Sequence, residues 1–547
     1  MMRLTDDGQS AGPVEPVPDV VDAIQRADGP KVRWLWPSTA ELYPTLLRAG
    51  VRVARCHDLE LVGALLLGAE GDWGAPRALP AVWARLTGAE VPPDPVVQAA
   101  APPGEVQDAL FDAVQPAAEP AGFDAMAALR EGYVAQLKRI ETLAAPGRFR
   151  LLVAAESAGA LLAAEMGFDG LPLSEAAHEE LLLELLGPPS PVGGNPRKLV
   201  ELSTEISAAF GGAKVRPDSP AEVLKAFQRA GYPIASTASW ELRHVNHPAV
   251  PLLRRYKELY RIWTAHGWSW RSTWVRGGRF HAEYVPAGVV SGRWASRGGG
   301  ALQIPRVIRG AVRSDPGWRL VVADAGQLEP RILAAVSGDP GMMRAAGAGD
   351  MYAALATDAF AGDRAQAKVA LLGAMYGQVG GAAAPALATL RHSYPIALSY
   401  VEEAARTGES GGLVRSWLGR TCPPPSVSWQ SWTGERPDQI EDVEDRSTGA
   451  RARARGRFTR NFVIQATAAE WALALLASLR TALAGSPARI VFFQHDEVIV
   501  HAPEECATWA ASAITAAGES ATRLLFGDTT VAFPMGTAIV ESYADAK

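Results

Sequence analysis

The sequence predicts an α+β fold in which many helices surround a small sheet. From about residue 123 onward the apolar residues recur mainly at helical spacing, as in "FDAMAALREGYVAQLKRIETLA". By contrast, "RLVVAD" (319–324) and "VFFQHDEVIVHAP" (491–503) are apolar, β-branched runs typical of half-buried strands. Both strand-like runs carry carboxylates, so the predicted sheet is a candidate location for a functional site.

Composition is that of a soluble globular protein with two or more domains. The 547 residues are 48% hydrophobic and 20% charged, which is enough to build a sizeable core. We find no uninterrupted apolar run of membrane-spanning length and no signal-like start, so no membrane partner is expected. Cys56, Cys422 and Cys506 lie far apart without metal-type spacing. This spacing favours a reducing cytoplasm and argues against a zinc site.

Charge is distributed unevenly. The net charge of −6 argues mildly against a polyanionic partner. However, between Arg254 and Arg313 the only acids are Glu258 and Glu283, and a second basic run occupies 446–460. Either run alone could be a solvated face. Together, in an acidic chain, they indicate a local phosphate-binding surface.

The remaining elements follow in order. Residues 30–90 mix short strand-like runs with a helix around "LELVGALLLG", and the Pro/Ala-rich segment 91–106 predicts a linker. Further helical blocks are "FRLLVAAESAGALLAAEMGF", "PRKLVELSTEISAAF" and the basic-faced "AVPLLRRYKELYRIWTAHGW". Helices are expected over roughly 327–410 and a long loop over 421–449. A long helix, "NFVIQATAAEWALALLASLRTALA", precedes the second strand-like run.

The hairpin around Asp496 and Glu497 has unusual turn chemistry. A connection that only reversed the chain would use Asn-Gly or Asp-Gly, whereas His-Asp-Glu is costly to desolvate. Asp324 ends the other strand-like run, and Glu329-Pro330 begins a helix just after it. One acid at a strand end is usually a helix cap. Two of them suit a two-metal site, in which Mg²⁺ ions about 3.5–4 Å apart clamp the oxygens of a phosphoryl transfer.

A stripe of side chains lies on one predicted helix between these strands. Arg364, Lys368, Leu372 and Tyr376 recur every four residues in "RAQAKVALLGAMYGQ". The stripe could grip a triphosphate at its basic end and stack a base at its aromatic end. The alternative is a solvated surface pair.

These motifs carry a resemblance to a known family. "DAGQLEPRI", "RAQAKVALLGAMYG" and "QHDEV" resemble motifs A, B and C of family A DNA polymerases, in the right order. "SGRWASRGGGALQIP" (291–305) and "RFTRNFVIQATAAEW" (457–471) resemble two further segments of that family. The likeness covers roughly residues 145–547. It implies template-directed DNA synthesis with primer–template DNA and dNTPs as partners, in repair or replication.

The resemblance implies a catalytic centre with two Mg²⁺ ions, which Mn²⁺ can replace. Asp324 and Asp496 would bind both ions, helped by the backbone carbonyl of Ala325. Glu497 would be an auxiliary acid, and Lys368 would hold phosphates and protonate departing pyrophosphate.

Substrate and DNA contacts follow from the same likeness. The dNTP would be contacted by Arg364, Lys368, Leu372, Tyr376, Glu329 and Gln327. Among these, Glu329 would be the steric gate against a ribose 2′-OH, near Tyr376. Primer–template DNA would be contacted by Arg293, Arg457, Asn461, Gln465 and His495.

The resemblance also implies a right-hand architecture. An antiparallel palm sheet is expected over about 276–335 and 455–547, helical fingers over about 340–450 and a thumb over about 190–275, all within a polymerase domain of residues 146–547. Residues 1–145 would form a small α/β domain like a 3′–5′ exonuclease that has lost its activity. Its only Asp-x-Glu is "DLE" (58–60), and Leu137 stands where the family's Tyr-x-x-x-Asp helix needs an acid.

Several features depart from the family pattern, and rival functions stay open. Leu372 stands where Phe or Tyr is usual, and Ala325 replaces a usual Tyr. These changes put efficiency and sugar selectivity in doubt. The rivals are a single-subunit RNA polymerase, a polymerase with residual exonuclease activity, and a non-catalytic scaffold for primed DNA. We expect a monomer in the cytoplasm, associated with the nucleoid.

Overall fold

The computed structural model describes most of the chain. It covers residues 1–95, 120, 122–191, 193–297, 300, 304–377, 384–425 and 442–546, with the backbone alone for 442–448. Most of the predicted 91–106 linker and part of the "GGGALQ" segment lie outside the described residues.

The N-terminal region combines two parallel strands with helices. Strands β1 (Trp34–Trp36) and β2 (Cys56–Asp58) pair with Leu35 opposite His57. The helices are α1 (Val20–Ala27), α2 (Thr39–Arg48), α3 (Leu59–Glu70), α4 (Leu79–Thr87) and α5 (Ala125–Glu141). Carboxylates of Asp19, Asp58 and Asp124 cap the first turns of α1, α3 and α5, which fixes where those helices begin.

A buried polar network attaches this region to the rest of the chain. Helix α6 (Pro146–Asp169) carries Glu165, which accepts a hydrogen bond from the Tyr43 hydroxyl at 2.6 Å. Arg480 donates to the same carboxylate at 2.7 Å and 2.9 Å. It also donates to the carbonyls of Val53 (2.6 Å) and Ala54 (2.9 Å). The buried ion pair of Glu165 and Arg480 thus has hydrogen-bond partners in the N-terminal region, which hold that region against the rest of the chain.

The next region is mostly helical. Its helices are α7 (Glu175–Leu186), α8 (Arg197–Ala209), α9 (Pro220–Arg229), α10 (Ser239–Leu242), α11 (Ala249–His266) and α12 (Trp268–Trp274). Its short strands are β3 (Leu171–Pro172), β4 (Val275–Arg276), β5 (Arg279–Phe280), β6 (Glu283–Val285) and β7 (Ala295–Arg297), followed by a 3₁₀ turn, Arg306–Ala311. Strands β3, β5 and β4 form one small antiparallel sheet, and β6 pairs with β7.

A four-stranded antiparallel sheet forms the centre of the molecule. Its strands are β8 (Trp318–Ala325), β9 (Arg489–Gln494), β10 (Glu497–Pro503) and β11 (Met535–Val540), in the spatial order β11-β8-β10-β9. Valine, isoleucine and phenylalanine fill β8, β9 and β10 and are buried. The strand-like runs predicted β8, β9 and β10, and the family resemblance implied an antiparallel sheet of this kind.

The remaining described α-helices lie between β8 and β11 along the chain. They are α13 (Leu328–Ser337), α14 (Pro340–Gly347), α15 (Met351–Ala359), α16 (Arg364–Tyr376), α17 (Ala384–Ser393), α18 (Pro395–Glu409), α19 (Asp442–Ala482) and α20 (Glu504–Phe526). A final 3₁₀ turn spans Tyr543–Ala546. The helices predicted over 327–410 are present.

The predicted loop over 421–449 is wrong at its C-terminal end. Helix α19 begins at Asp442, so residues 442–449 are helical and the basic run continues directly into the apolar helix. The reason is physical. The stretch 442–449 ("DVEDRSTG") consists mostly of poor helix formers and has no apolar stripe, so it read as a loop. Extending a helix that has already formed costs less than nucleating a new one, so the long helix that follows can include these residues.

One core joins most of these elements. Buried residues of α3 and α5, such as Leu66 and Ile140, belong to the same hydrophobic cluster as the central sheet. Two helical stretches, Pro146–Asp169 and Gly449–Ala482, are long and apolar enough to cross a bilayer by length and composition alone. Their apolar windows are 67% and 83% buried inside the protein, so they pack as core helices. Glu156 in the first and Glu470 in the second interrupt the apolar run.

Candidate active site

The hairpin between β9 and β10 brings two predicted metal-binding carboxylates to one end of the sheet. Its turn consists of His495, in the left-handed region at φ +58°, and Asp496. Ala325, which ends β8, donates its N–H to the Asp496 carbonyl at 3.0 Å. Asp324 is therefore the neighbour of a residue, Ala325, whose backbone is hydrogen-bonded to Asp496 in the turn. Two acids far apart in sequence end up at adjacent strand ends.

Glu497 differs from its neighbour in environment. It lies opposite Asp324 in the β8–β10 register and is only 5% exposed. The Tyr543 hydroxyl donates a hydrogen bond to Glu497 Oε1. The two adjacent acids of the hairpin thus have different surroundings: Asp496 is partly exposed in the turn, whereas Glu497 is buried at the start of β10.

The predicted sugar gate is held by two other predicted site residues. Glu329, in the first turn of α13, forms an ion pair with Arg293. The Tyr376 hydroxyl donates to Glu329 Oε2 at 2.8 Å. Burial of the phenol, followed by the Glu329 charge, raises the pKa of Tyr376 to about 12. Arg293, which is expected to contact primer–template DNA, therefore also touches the predicted sugar gate.

The basic end of the α16 stripe faces an acid and an aromatic ring. Arg364 Nε donates to Asp350 Oδ2 at 2.8 Å, and Gln327 Nε2 donates to Asp350 Oδ1 at 2.8 Å. Partial burial opposes ionisation of Asp350, but these hydrogen bonds prevail and lower its pKa to about 2. The cations of Arg364 and Lys368 lie 5.8 Å and 6.0 Å from the Tyr352 ring centroid. Both cations are exposed, on a face that a polyphosphate could reach.

Arg331 is a structural residue that the sequence analysis missed. It is fully buried and donates to the carbonyls of Gly326, Ala346, Ala348, Gly349 and Ala532. These bonds fix the turn after β8, where Gln327 sits at φ +59° before α13. An arginine within the apolar run "PRILAAV" was the available signal, because a charge on a buried helix face needs several acceptors.

One face of α19 lies beside the C-terminal end of α16. Arg457, Asn461 and Gln465 are spaced by four residues and are all at least partly accessible. A Cβ added to Gly377, which ends α16 at φ +73°, would lie 2.6 Å from Arg457 Cγ. Leu372 is half-buried against the core. The predicted DNA-contacting face and the aromatic end of the stripe are therefore adjacent.

The donor set fits hard divalent cations. Asp324 and Asp496 offer carboxylate oxygens, the ligands that Mg²⁺ prefers. Within the described ranges there is no group of three or more His, Cys, Asp or Glu side chains arranged to hold a metal ion. A two-carboxylate site of this kind suits Mg²⁺, which keeps several waters and takes further ligands from substrate phosphates.

Comparisons with known proteins agree on one family. The model for DNA polymerase family A matches residues 196–539. DNA polymerase I of Chloroflexus aurantiacus is 28% identical over 325 residues, which is 53% of this chain and 32% of that protein. The thermostable DNA polymerase I of Thermus aquaticus is 27% identical over 307 residues, 51% of this chain and 35% of that protein. The chain thus spans about a third of the length of these relatives.

A solved structure shares the fold. The POL domain of Pol1 from M. smegmatis, in complex with DNA primer–template and dNTP, superposes with a TM-score of 0.64 and 18% sequence identity. The match covers 90% of this chain and 82% of that one. The right-hand α+β architecture expected from the motifs is therefore confirmed.

Proposed function

Because this chain belongs to DNA polymerase family A, we propose that it extends a DNA primer along a DNA template by transferring nucleotides from dNTPs to the primer 3′-OH. The observation that carries the proposal is that Asp324 and Asp496 stand at neighbouring strand ends. The Ala325–Asp496 backbone bond joins the two strand ends on which these acids stand. The roles in repair or replication both fit this activity.

Family A polymerases are metal-dependent, and we infer that Asp324 and Asp496 hold two Mg²⁺ ions, with the Ala325 carbonyl as a further ligand. Bound there, the ions would stabilise the charge that develops on the attacking and leaving oxygens. Positioning and electrostatic stabilisation supply nearly all of the catalysis in phosphoryl transfer. The arrangement of this chain's own side chains therefore matters most.

The α16 stripe supports a dNTP pose. Arg364 and Lys368 bind the β- and γ-phosphates, with Lys368 placed to give a proton to departing pyrophosphate. In the absence of substrate Asp350 pairs with Arg364, so a triphosphate would compete with Asp350 for this cation. Tyr376, one helix length away, flanks the nascent base pair while Glu329 faces the sugar. Arg293, Arg457, Asn461, Gln465 and His495 contact the primer–template.

Primer extension tests the proposal. Asp324→Asn and Asp496→Asn each remove a metal-binding carboxylate and are expected to abolish extension while leaving primer–template affinity nearly unchanged. Asp528→Asn, an exposed acid outside the site, is the control and should extend like wild type. Comparing dNTPs with NTPs in Mg²⁺ separates a DNA polymerase from an RNA polymerase. Extension within tenfold of wild type by either variant would refute the assignment, and DNA binding without any extension would favour a scaffold.

We also propose that residues 1–145 support the polymerase without 3′–5′ exonuclease activity. Asp58, the first acid of the "DLE" motif, is 2% exposed. Its carboxylate already accepts hydrogen bonds from the N–H groups of Thr39 (2.7 Å) and Leu61 (2.9 Å). A carboxylate used in this way to cap α3 is poorly available to a metal ion.

A mismatched 3′ end tests this second proposal. Incubated with enzyme and Mg²⁺ or Mn²⁺ but no dNTPs, the primer is expected to stay intact. Steady release of mononucleotides that is lost in Asp58→Ala but kept in Asp496→Asn would show that the N-terminal region is an active exonuclease.

A further inference from the structure

We propose that Tyr543 is a positioning residue that holds Glu497 beside Asp324 and thereby sets the geometry of the metal-binding carboxylates. The inference rests on the proposed polymerase function, because it concerns the same site.

The contact itself is buried and specific. Tyr543 is 0% exposed, and its hydroxyl donates to Glu497 Oε1. Glu497 is the register partner of Asp324 across β8 and β10, so the two side chains emerge on the same face of the sheet. A buried carboxylate needs hydrogen-bond donors to remain in place. The phenol is such a donor.

Further contacts anchor Tyr543 and the residues just before it. The Arg309 guanidinium lies 4.2 Å from the centroid of the Tyr543 ring. Tyr543 also donates its backbone N–H to the Val312 carbonyl at 3.0 Å. One residue further along, Arg313 pairs with Ser542 in a β-bridge, and two residues further along, Ser314 donates its N–H to the Glu541 carbonyl at 2.8 Å. The terminal turn is thus fastened to the segment that precedes β8.

This arrangement links two chain segments through one side chain. The segment 309–314 lies just before β8 in the chain, and Asp324 is the second-to-last residue of that strand. Glu497 begins β10, next to Asp496. Tyr543 contacts both segments, so it can fix the separation between the strand ends. Partners of this kind orient ligands rather than bind the metal, and losing one typically costs about 10–100-fold in metal affinity or activity.

Tyr543→Phe is the variant that isolates the hydroxyl. It keeps the ring, its packing and the Arg309 contact, and removes only the donor. Tyr43→Phe is a matched control, because Tyr43 is also 0% exposed and also donates to a glutamate, Glu165, at 2.6 Å. Both variants lose a buried tyrosine–carboxylate hydrogen bond, but only one of these bonds lies at the site.

The measurement is the full-length enzyme's Mg²⁺ dependence, together with Mn²⁺ binding followed by electron paramagnetic resonance. Binding is measured with a dideoxy-terminated primer–template and the matching dNTP. We expect Tyr543→Phe to raise the half-saturating metal concentration about tenfold or more, and Tyr43→Phe to leave it unchanged. Adding Tyr543→Phe to Glu497→Gln should produce little further change, since the two residues act through one contact.

The outcomes separate this inference from the polymerase function. If wild type extends primers and the Mg²⁺ dependence of Tyr543→Phe equals that of Tyr43→Phe, the positioning role is refuted and the function stands. If wild type does not extend primers, the proposed function fails. The Tyr543–Glu497 contact is then judged by thermal unfolding, where additive effects of the two substitutions would refute the contact.

Discussion

At the scale of single residues, the proposed sugar gate, Glu329, is held in one orientation by two partners. Glu329 carries a negative charge in a site where its side chain is only 13% exposed, and Arg293 provides the opposite charge. Tyr376 adds a hydrogen bond at 2.8 Å. With both oxygens engaged, the carboxylate cannot turn away from an incoming sugar without losing a partner.

Removing this side chain should relax the choice of sugar. Glu329→Ala is expected to raise the ratio of ribonucleotide to deoxyribonucleotide kcat/KM, because the 2′-OH would no longer meet a fixed carboxylate. Single-nucleotide incorporation of one base with both sugars measures the ratio. Glu283→Ala is the control, since Glu283 also pairs with an arginine, Arg297, but at an exposed site on β6. An unchanged ratio in Glu329→Ala would mean that selectivity resides elsewhere.

Sequence reasoning could single out charged candidate residues for the site, but it could not identify the side chains that contact them. Asp324 and Asp496 stand out as a pair, because two acids at the ends of apolar strands suit a metal site, whereas one such acid is usually a helix cap. The Arg293–Glu329 and Tyr543–Glu497 contacts join residues 36 and 46 positions apart. Nothing local in the sequence specifies such a contact, because it depends on how the strands are arranged. Arg331 is similar, since its five carbonyl acceptors come from three separate segments.

At the scale of elements, the junction of α16 and α19 depends on the absence of a side chain. Gly377 ends α16 in the left-handed region, and Arg457 of α19 packs against the space where a Cβ would be. The junction brings the aromatic end of the stripe next to the proposed DNA-contacting face. The periodicity of apolar residues predicted both helices. It could not predict how closely they approach each other, because that depends on the tertiary packing.

Gly377→Ala should weaken primer–template binding. The added methyl would meet Arg457 Cγ at 2.6 Å and displace that side chain. Gly338→Ala is the matched control, because Gly338 also ends a helix at φ +67° but has no atom within 4 Å of the added Cβ. Both variants bear the strain of alanine in the left-handed region, about 1–2 kcal/mol. Equal affinities of the two variants for primer–template would show that the Gly377–Arg457 approach does not matter for binding.

At the scale of the whole molecule, an acidic protein is proposed to bind a polyanion. The net charge is −6, but the basic stretch 254–313 and the basic run 446–460 concentrate positive charge locally. Local potential, rather than total charge, decides whether phosphates are attracted. Arg254 and Arg255 are exposed on α11.

Affinity for primer–template should fall steeply with salt. The logarithm of the binding constant should change with a slope of about −0.9 per phosphate neutralised on duplex DNA. Arg255→Gln is expected to reduce that slope by about 1. Arg26→Gln, in an exposed pair with Asp22 on α1, should leave it unchanged. A flat salt response in wild type would refute the DNA-binding interpretation of both basic segments.

The network of Tyr43, Glu165 and Arg480 limits how far the protein could be shortened. A fragment starting at residue 146 would keep Arg480 but lose the carbonyls of Val53 and Ala54 that accept its hydrogen bonds. It would also lose the hydroxyl donor to Glu165 and uncover the apolar faces that α3 and α5 share with the main core. A shortened version of the protein would therefore need a substitute for the N-terminal region, which would have to cover the same apolar surface and supply the same hydrogen-bond partners.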